Sequence, residues 1–191
     1  MEDLSQSLHD AGFDLLNVPY PSFRKSLSDI VEEVARTIRH TSGTEKTQHF
    51  VTHSMGGIVL RCLADRYPEL VTGRVIMLAP PNQGSEIIDW LEDCPLARYS
   101  LGPAGMNLST TRVKKEIPTL SSEQDLTVIM GKRQSIPIFN SFLQGPHDGI
   151  VTVEGGRLHP LTPLEVVDAD HSFIMGDRAV IKRVIQRLKS K

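Results

Sequence analysis

Apolar residues recur at the spacing of an amphipathic helix in three parts of the chain. They are Leu4, Leu8 and Ala11, then Leu27, Ile30, Val31, Val34 and Ile38, and finally Val180, Ile181, Val184, Ile185 and Leu188. A spacing of three and four residues places such side chains on one helix face. Ser26 and Asp29 have the spacing of a capping box at the start of the second stretch. The pattern therefore predicts three amphipathic helices.

Short apolar runs of the kind buried in a parallel sheet lie between these helices. They cover residues 13–18, 48–52, 74–79, 126–130 and 165–167, and a further helix is predicted at residues 55–67. Strands that alternate with helices are typical of a parallel sheet. The pattern thus predicts an α/β fold, with a mostly parallel sheet of five strands and helices on both of its faces.

Residues 82–124 interrupt this alternation, because prolines and glycines are scattered there among apolar residues. We expect this stretch to be a cap-like excursion over the edge of the sheet. Neither an internal repeat nor a Gly/Ser-rich linker marks a second domain, so residues 1–191 are expected to form a single domain.

The composition, 39% hydrophobic and 23% charged, is that of a globular protein. The 21 basic and 23 acidic residues give a net charge of -2, and so no positive field that would hold nucleic acid or an anionic membrane surface. The longest apolar run, residues 75–79, is far shorter than the roughly 20 residues of a membrane span. We therefore expect neither a nucleic-acid partner nor an integral membrane segment.

The two cysteines, Cys62 and Cys94, are too few for a disulfide framework and lack the spacing of metal ligands. They are expected to be reduced thiols in the packing, and no metal or cofactor is expected. The cellular location of the protein is not predicted. The acidic start of the chain, where a signal peptide would be basic, favours the cytoplasm only if Met1 is the true start.

The clearest chemical feature is the sequence THSMGG at residues 52–57, between a predicted strand and a predicted helix. A serine on such a sharp turn adopts a strained backbone that exposes its Oγ, and it needs small neighbours two residues away. Gly56 meets this need better than Thr52 does. The helix that follows would direct the N–H of Met55 at an oxyanion. The alternative is that Ser54 only caps this helix, but the flanking strand and glycines favour a nucleophile.

This stretch resembles the nucleophile elbow of the α/β-hydrolase superfamily, and in particular that of bacterial lipases and esterases. Residues 74–85, RVIMLAPPNQGS, are similar to the strand and the Pro-x-x-Gly-Ser turn that follow the elbow in lipases. The resemblance runs from near Leu4 to the C-terminus, and it departs from the usual Gly-x-Ser-x-Gly at Thr52. It implies a serine hydrolase that cleaves carboxylic esters through an acyl-enzyme.

The family's chain order of serine, acid and histidine implies the other catalytic residues. His171 follows the last predicted strand, which is the position of the catalytic base. Asp148 lies at the position of the acid, although a structural role in the turn before Gly149 is its alternative. Asp89 is the reserve candidate for the acid.

Other histidines and aspartates are expected to play structural parts. His53 is expected to pack rather than to act as the base, because a neighbour in the turn cannot easily fold back on the Oγ of Ser54. Asp168 and Asp170 are too close to the proposed base in sequence to orient its ring. His147 is expected to face solvent from its loop, with contact to the substrate as the alternative.

The resemblance also places an acyl-binding wall in the excursion at residues 82–124. Trp90, Leu91, Leu96 and Leu101 are expected to line the substrate pocket, with ordinary core burial as the alternative.

The family's sheet has one more strand, between the strands predicted at residues 13–18 and 48–52. Its absence would leave a gap in the middle of the sheet, with unpaired backbone groups, and would remove the loop that supplies a second oxyanion donor. We expect either that the true start lies upstream of Met1 or that a short form closes its sheet differently and lacks full activity. The first explanation is favoured.

Ester hydrolysis is thus the leading hypothesis, with a small-molecule acyl ester or lipid as the expected partner. A non-catalytic or impaired binding protein of the same fold is one alternative, and an acyltransferase is another. The acyl chain length, the preference among ester, thioester and amide, and the oligomeric state stay open.

Overall fold

A sheet of four parallel strands forms the centre of the computed structural model, which describes residues 2–22, 24–41, 47–92, 101–134 and 137–190. The strands are β1 (Phe50–His53), β2 (Val75–Leu78), β3 (Leu126–Gly131) and β4 (Leu164–Val167), and they lie side by side in chain order. The helices are α1 (Glu2–Asp10), α2 (Leu27–Thr41), α3 (Met55–Arg66), α4 (Glu86–Leu91), α5 (Thr110–Glu116) and α6 (Arg178–Lys189). Residues 101–105 are also helical.

Both faces of the sheet are covered, because successive side chains of a strand point to opposite sides. Val75 and Met77 of β2 pack in one apolar cluster with α2 and α3. Ile76 and Leu78 of the same strand pack in a second cluster with α1 and α6. The central strands β2 and β3 are buried along their whole length. The predicted α/β class, with helices on both faces of a parallel sheet, is therefore confirmed.

The prediction of a strand at residues 13–18 is wrong. This segment has no β-ladder, and β1 is an edge strand that pairs with β2. Phe13 and Val18 pack their side chains against the two clusters, whereas Leu15 and Leu16 are exposed. An apolar run becomes a strand only where a neighbouring backbone pairs with it.

The sheet of the described residues accordingly has four strands rather than five, and these four are contiguous. The expected gap in the middle of the sheet does not occur among them. The other predicted elements are present close to their predicted ends. The capping box before α2 is also formed, with the Ser26 Oγ donating to the Asp29 carboxylate and accepting the Asp29 N–H.

The excursion at residues 82–124 connects β2 to β3 and includes α4 and α5. The buried Arg61 of α3 donates to the main-chain carbonyls of Asn82, Ile117 and Pro118. Burial lowers the pKa of Arg61 to about 10. One guanidinium group thus ties both ends of the excursion to α3, and the carbonyls compensate its loss of hydration.

Two further observations concern the predictions about membrane spans and about the cysteines. No helix in the ranges that the structure describes combines the length and the apolar character that a membrane span requires. Cys62 is a free, partly buried thiol that packs against the α2 and α3 cluster, and Cys94 lies outside the described residues.

Helix α6 is capped by Asp177, whose Oδ1 accepts the backbone N–H groups of Ala179 and Val180 at 2.8 and 3.1 Å. Asp177→Ala would leave both donors without this acceptor at the positive end of the helix. We expect the free energy of unfolding, measured by urea denaturation, to fall by about 1 kcal/mol. Asp177→Ser keeps an acceptor and should retain most of this stability; an equal loss in both variants would contradict the capping role.

Candidate active site

Ser54 lies on the sharp turn between β1 and α3. Its backbone has φ 51 and ψ −124, in a region that residues other than glycine rarely occupy and that costs about 1–3 kcal/mol. The N–H of Ser54 donates to the carbonyl of Leu78 at 2.9 Å, and its own carbonyl accepts the N–H of Gly57 at 3.0 Å. The first bond continues the ladder with β2, and the second lies at the start of α3. Hydrogen bonds to both the N–H and the carbonyl of Ser54 therefore stabilise its strained backbone.

Glycines after the serine let α3 begin close to the sheet. A Cβ at Gly57 would lie only 2.9 Å from the Cβ of Pro80 and 3.3 Å from the Sδ of Met77. A Cβ at Gly56 would lie 3.4 Å from the Cβ of Thr52, which is close to ordinary contact. Thr52 therefore fits in the turn, although its buried hydroxyl finds no hydrogen-bond partner within the part of the chain that is described.

The hydroxyl of Ser54 contacts a histidine instead of capping the helix. Its Oγ lies 2.9 Å from the Nε2 of His171, and the Nδ1 of the same ring lies 2.8 Å from the Oδ2 of Asp148. An ionised carboxylate can only accept, so the Nδ1 of a neutral His171 carries the proton. The Nε2 is then free to accept the proton of the hydroxyl.

Asp148 is held in the orientation that this contact needs. Its side chain is fully buried, and its Oδ1 accepts the backbone N–H groups of Ile150 and Val151 at 3.0 and 2.8 Å. The second oxygen faces His171, whose backbone N–H donates to the carbonyl of Asp148 at 3.1 Å. One oxygen therefore organises the turn and the other contacts the imidazole, and the role of Asp148 as the catalytic acid stays a prediction.

His53, the last residue of β1, lies against His171, with 5.2 Å between the ring centroids. Its Nε2 lies 2.8 Å from the carbonyl oxygen of His171. A carbonyl only accepts, so this Nε2 carries a proton. Burial, together with repulsion from His171, lowers the pKa of His53 to about 4, and the ring is neutral at neutral pH. Its Nε2–H thus donates to a main-chain carbonyl rather than to the Ser54 hydroxyl.

The other aspartates considered in the sequence analysis bind groups other than the His171 ring. Both carboxylate oxygens of Asp89 accept from Thr110, one from the backbone N–H at 2.8 Å and one from the hydroxyl at 2.7 Å, at the start of α5. Asp168 forms an ion pair with Arg133 at 3.0 Å. Asp170 accepts backbone N–H groups of the turn that follows it. Among these carboxylates and Asp148, the bond to the His171 ring is made by Asp148.

His147 is buried rather than facing solvent, contrary to expectation. Its Nδ1 accepts the N–H of Gly149 at 3.1 Å, and its backbone bridges to Thr152. The ring therefore stabilises the turn that holds Asp148. No local pattern indicates this role, because a histidine beside a glycine-containing turn is as compatible with solvent as with burial.

The residues expected to line the substrate pocket have mixed surroundings. Trp90 is half exposed (51%), and its ring packs on Phe142 with 4.7 Å between the centroids. Leu91 and Leu101 are partly buried, and Leu96 lies outside the described residues. The sequence did not single out Phe142, which is distant along the chain from Trp90 and meets it only through folding. That these residues bind substrate stays a prediction.

Met55 begins α3 directly after Ser54, so its backbone N–H lies at the positive end of the helix dipole. This is the place where an oxyanion donor is predicted. Within the described ranges, no group of three or more His, Cys, Asp or Glu side chains is arranged to hold a metal ion.

No family model and no curated protein matches this chain in sequence. Solved structures do match it. The lipase BlEst2 of Bacillus licheniformis in its mature form superposes with a TM-score of 0.75 at 21% identity, over 96% of this chain and 83% of that one. The phospholipase PlaB from Legionella pneumophila superposes with a TM-score of 0.76 at 17% identity, over 99% of this chain. This chain spans only 56% of that phospholipase.

An extracellular α/β-hydrolase from a Paenibacillus species is also similar, with a TM-score of 0.56 at 14% identity, over 97% of this chain and 90% of that one. At such low identities the likeness establishes the fold. The chain has the α/β-hydrolase fold, as the resemblance of its elbow implied.

The backbone strain at Ser54 should be measurable as a difference in the free energy of unfolding between two variants. Ser54→Gly removes the Cβ that makes φ 51 unfavourable, whereas Ser54→Ala keeps it and loses the same hydroxyl. We expect the glycine variant to have the higher free energy of unfolding, by about 1 kcal/mol, in parallel urea denaturations. An alanine variant at least as stable as the glycine variant would show that the turn is not strained.

Proposed function

We propose that the protein is a serine hydrolase that cleaves carboxylic esters, with Ser54 as the nucleophile, His171 as the base and Asp148 as the residue that orients the base. One observation carries the proposal. It is the unbroken line of contacts from the Ser54 Oγ to the His171 Nε2 at 2.9 Å, and from the His171 Nδ1 to the Asp148 Oδ2 at 2.8 Å. A hydroxyl, an imidazole and a carboxylate in this order are the parts of a catalytic triad.

In the first half of the proposed reaction, the Ser54 hydroxyl proton passes to the Nε2 of His171 while the Oγ bonds to the carbonyl carbon of the ester. The carbonyl electron pair moves to its oxygen, where the Met55 N–H and the N-terminus of α3 stabilise the negative charge. The intermediate then expels the alcohol, which takes the proton from His171. An acyl group remains on Ser54.

In the second half, water gives a proton to His171 and attacks the acyl carbon, and collapse of the second intermediate returns that proton to Ser54 and releases the acid. Asp148 stays ionised throughout and stabilises the imidazolium. Its carboxylate suits this part because the three hydrogen bonds from Ile150, Val151 and His171 compensate its burial.

The substrate class rests on two lines of support. The similar folds include proteins named as a lipase and a phospholipase, names that denote enzymes acting on lipids. Trp90, Leu91, Leu96 and Leu101 are proposed to form an apolar wall for the acyl group, and the half-exposed Trp90, packed on the partly buried Phe142, offers such a surface. A non-catalytic binding protein of the same fold is the alternative.

Removing the nucleophile tests the proposal against that alternative. A fluorophosphonate probe should label the wild-type protein, and Ser54→Ala should abolish labelling and reduce hydrolysis of p-nitrophenyl esters by about 10⁴- to 10⁶-fold. The exposed Ser121, changed to alanine, is the control and should label as the wild type does. A folded wild-type protein that does not label would favour the binding protein.

Asp148→Asn tests the orienting acid. The Oδ1 position accepts two backbone N–H groups, so the amide oxygen should stay there and place the NH₂ group against the His171 Nδ1. The ring would then carry its proton on Nε2 and could not accept one from Ser54, so we expect kcat to fall by about 10⁴-fold.

The control for this experiment is Asp89→Asn, which changes the reserve candidate. Since both oxygens of Asp89 bond to Thr110, kcat should stay close to that of the wild type. If Asp89→Asn causes the larger loss of kcat, the acid has been assigned to the wrong residue.

A further inference from the structure

His53 has no part in the proton transfers described above, yet it lies partly buried beside them. It lies between two groups of the site, because Ser54 follows it in the chain and His171 contacts its ring. Its Nε2–H donates a hydrogen bond to the carbonyl oxygen of His171 at 2.8 Å. Burying a polar ring costs free energy unless such a bond is made.

The backbone of His171 is therefore held on both sides of its Cα. Its N–H donates to the carbonyl of Asp148 at 3.1 Å, and its carbonyl accepts from His53. The turn that follows is exposed, with 73% of Phe173 accessible to solvent. The bond from His53 thus secures the backbone of the base on the side where the chain leaves the core.

We propose that His53 is a positioning residue that holds the main chain of His171, and thereby keeps its imidazole between Ser54 and Asp148. This inference rests on the proposed function of the three residues. His53 is the last residue of β1, and Ser54 follows it directly. The end of this strand therefore positions both the proposed nucleophile and the backbone of the proposed base. A misplacement of about 1 Å can cost about a hundredfold in rate, so such a bond matters.

The chemistry of the residue suits this role. The neutral ring donates a hydrogen bond without placing a cation beside His171, which itself becomes an imidazolium during the reaction. A lysine or arginine could donate the same bond, but its charge would oppose protonation of the base. A neutral donor of similar reach is the requirement, and glutamine meets it while phenylalanine does not.

The test compares His53→Phe, which keeps a ring without a donor, with His53→Gln, which keeps a neutral donor. We expect His53→Phe to lower kcat for p-nitrophenyl butyrate by about 10- to 100-fold with KM changed by less than about twofold. His53→Gln should restore kcat to within about threefold of the wild type. The downfield NMR resonance of the His171 Nδ1 proton should broaden or shift in the phenylalanine variant and persist in the glutamine variant.

Each outcome can be assigned. A wild-type protein that is not labelled by the fluorophosphonate overturns the proposed function and this inference with it. A labelled wild type whose His53→Phe variant has the same kcat and the same proton resonance overturns the role of His53 alone. If His53→Phe does not fold, His53→Asn replaces it, because its amide is too short to reach the His171 carbonyl and the same losses are expected.

Discussion

Parallel pairing of the strands is the constraint on which the whole site depends. In a parallel sheet the carboxyl ends of all strands meet at one edge, and the loops that follow them share the space beyond it. Ser54 follows β1, Asp148 follows β3 by a loop and His171 follows β4. The 2.9 Å contact between Ser54 and His171 joins loops that follow the two outer strands of the described sheet, β1 and β4, so it depends on the arrangement of all four strands.

Two features at this edge of the sheet are locally unfavourable in free energy. The backbone of Ser54 is strained, and the Asp148 carboxylate is removed from water. The first is held by the ladder bond to Leu78 and by the start of α3, and the second is compensated by three hydrogen bonds. Strain and buried charge are tolerated there because the apolar clusters on both faces of β2 and β3 supply the stability of the fold.

Local patterns in the sequence predicted the parts of the fold that depend on local physics. Helical spacing predicted α1, α2 and α6, and the strand, serine and glycines at residues 50–57 predicted the turn that the structure contains. The segment at residues 13–18 shows where this approach fails. Its apolar run is typical of a strand, but a strand needs a partner, and pairing is not encoded in the run itself.

In the candidate site, too, contacts between residues that are distant along the chain are not predicted by local patterns. The positions of Asp148 and His171 followed from the chain order of a family, not from any spacing, because the two residues meet only through folding. The bond from His53 to the His171 carbonyl joins residues that are 118 apart in sequence, and a main-chain carbonyl leaves no signature in the side-chain pattern. The contact of Phe142 with Trp90 likewise forms only through folding, whereas His147 was placed wrongly because the turn beside it is compatible with both burial and exposure.

The excursion between β2 and β3 is tied to α3 by one buried group. Arg61 lies on α3, the helix whose first N–H is the proposed oxyanion donor, and it binds main-chain carbonyls at both ends of the excursion. The charge of Arg61 is met by carbonyls of the excursion itself, so separating the two would leave a buried cation without acceptors. The proposed acyl wall and the proposed oxyanion donor are therefore connected through the same helix, α3.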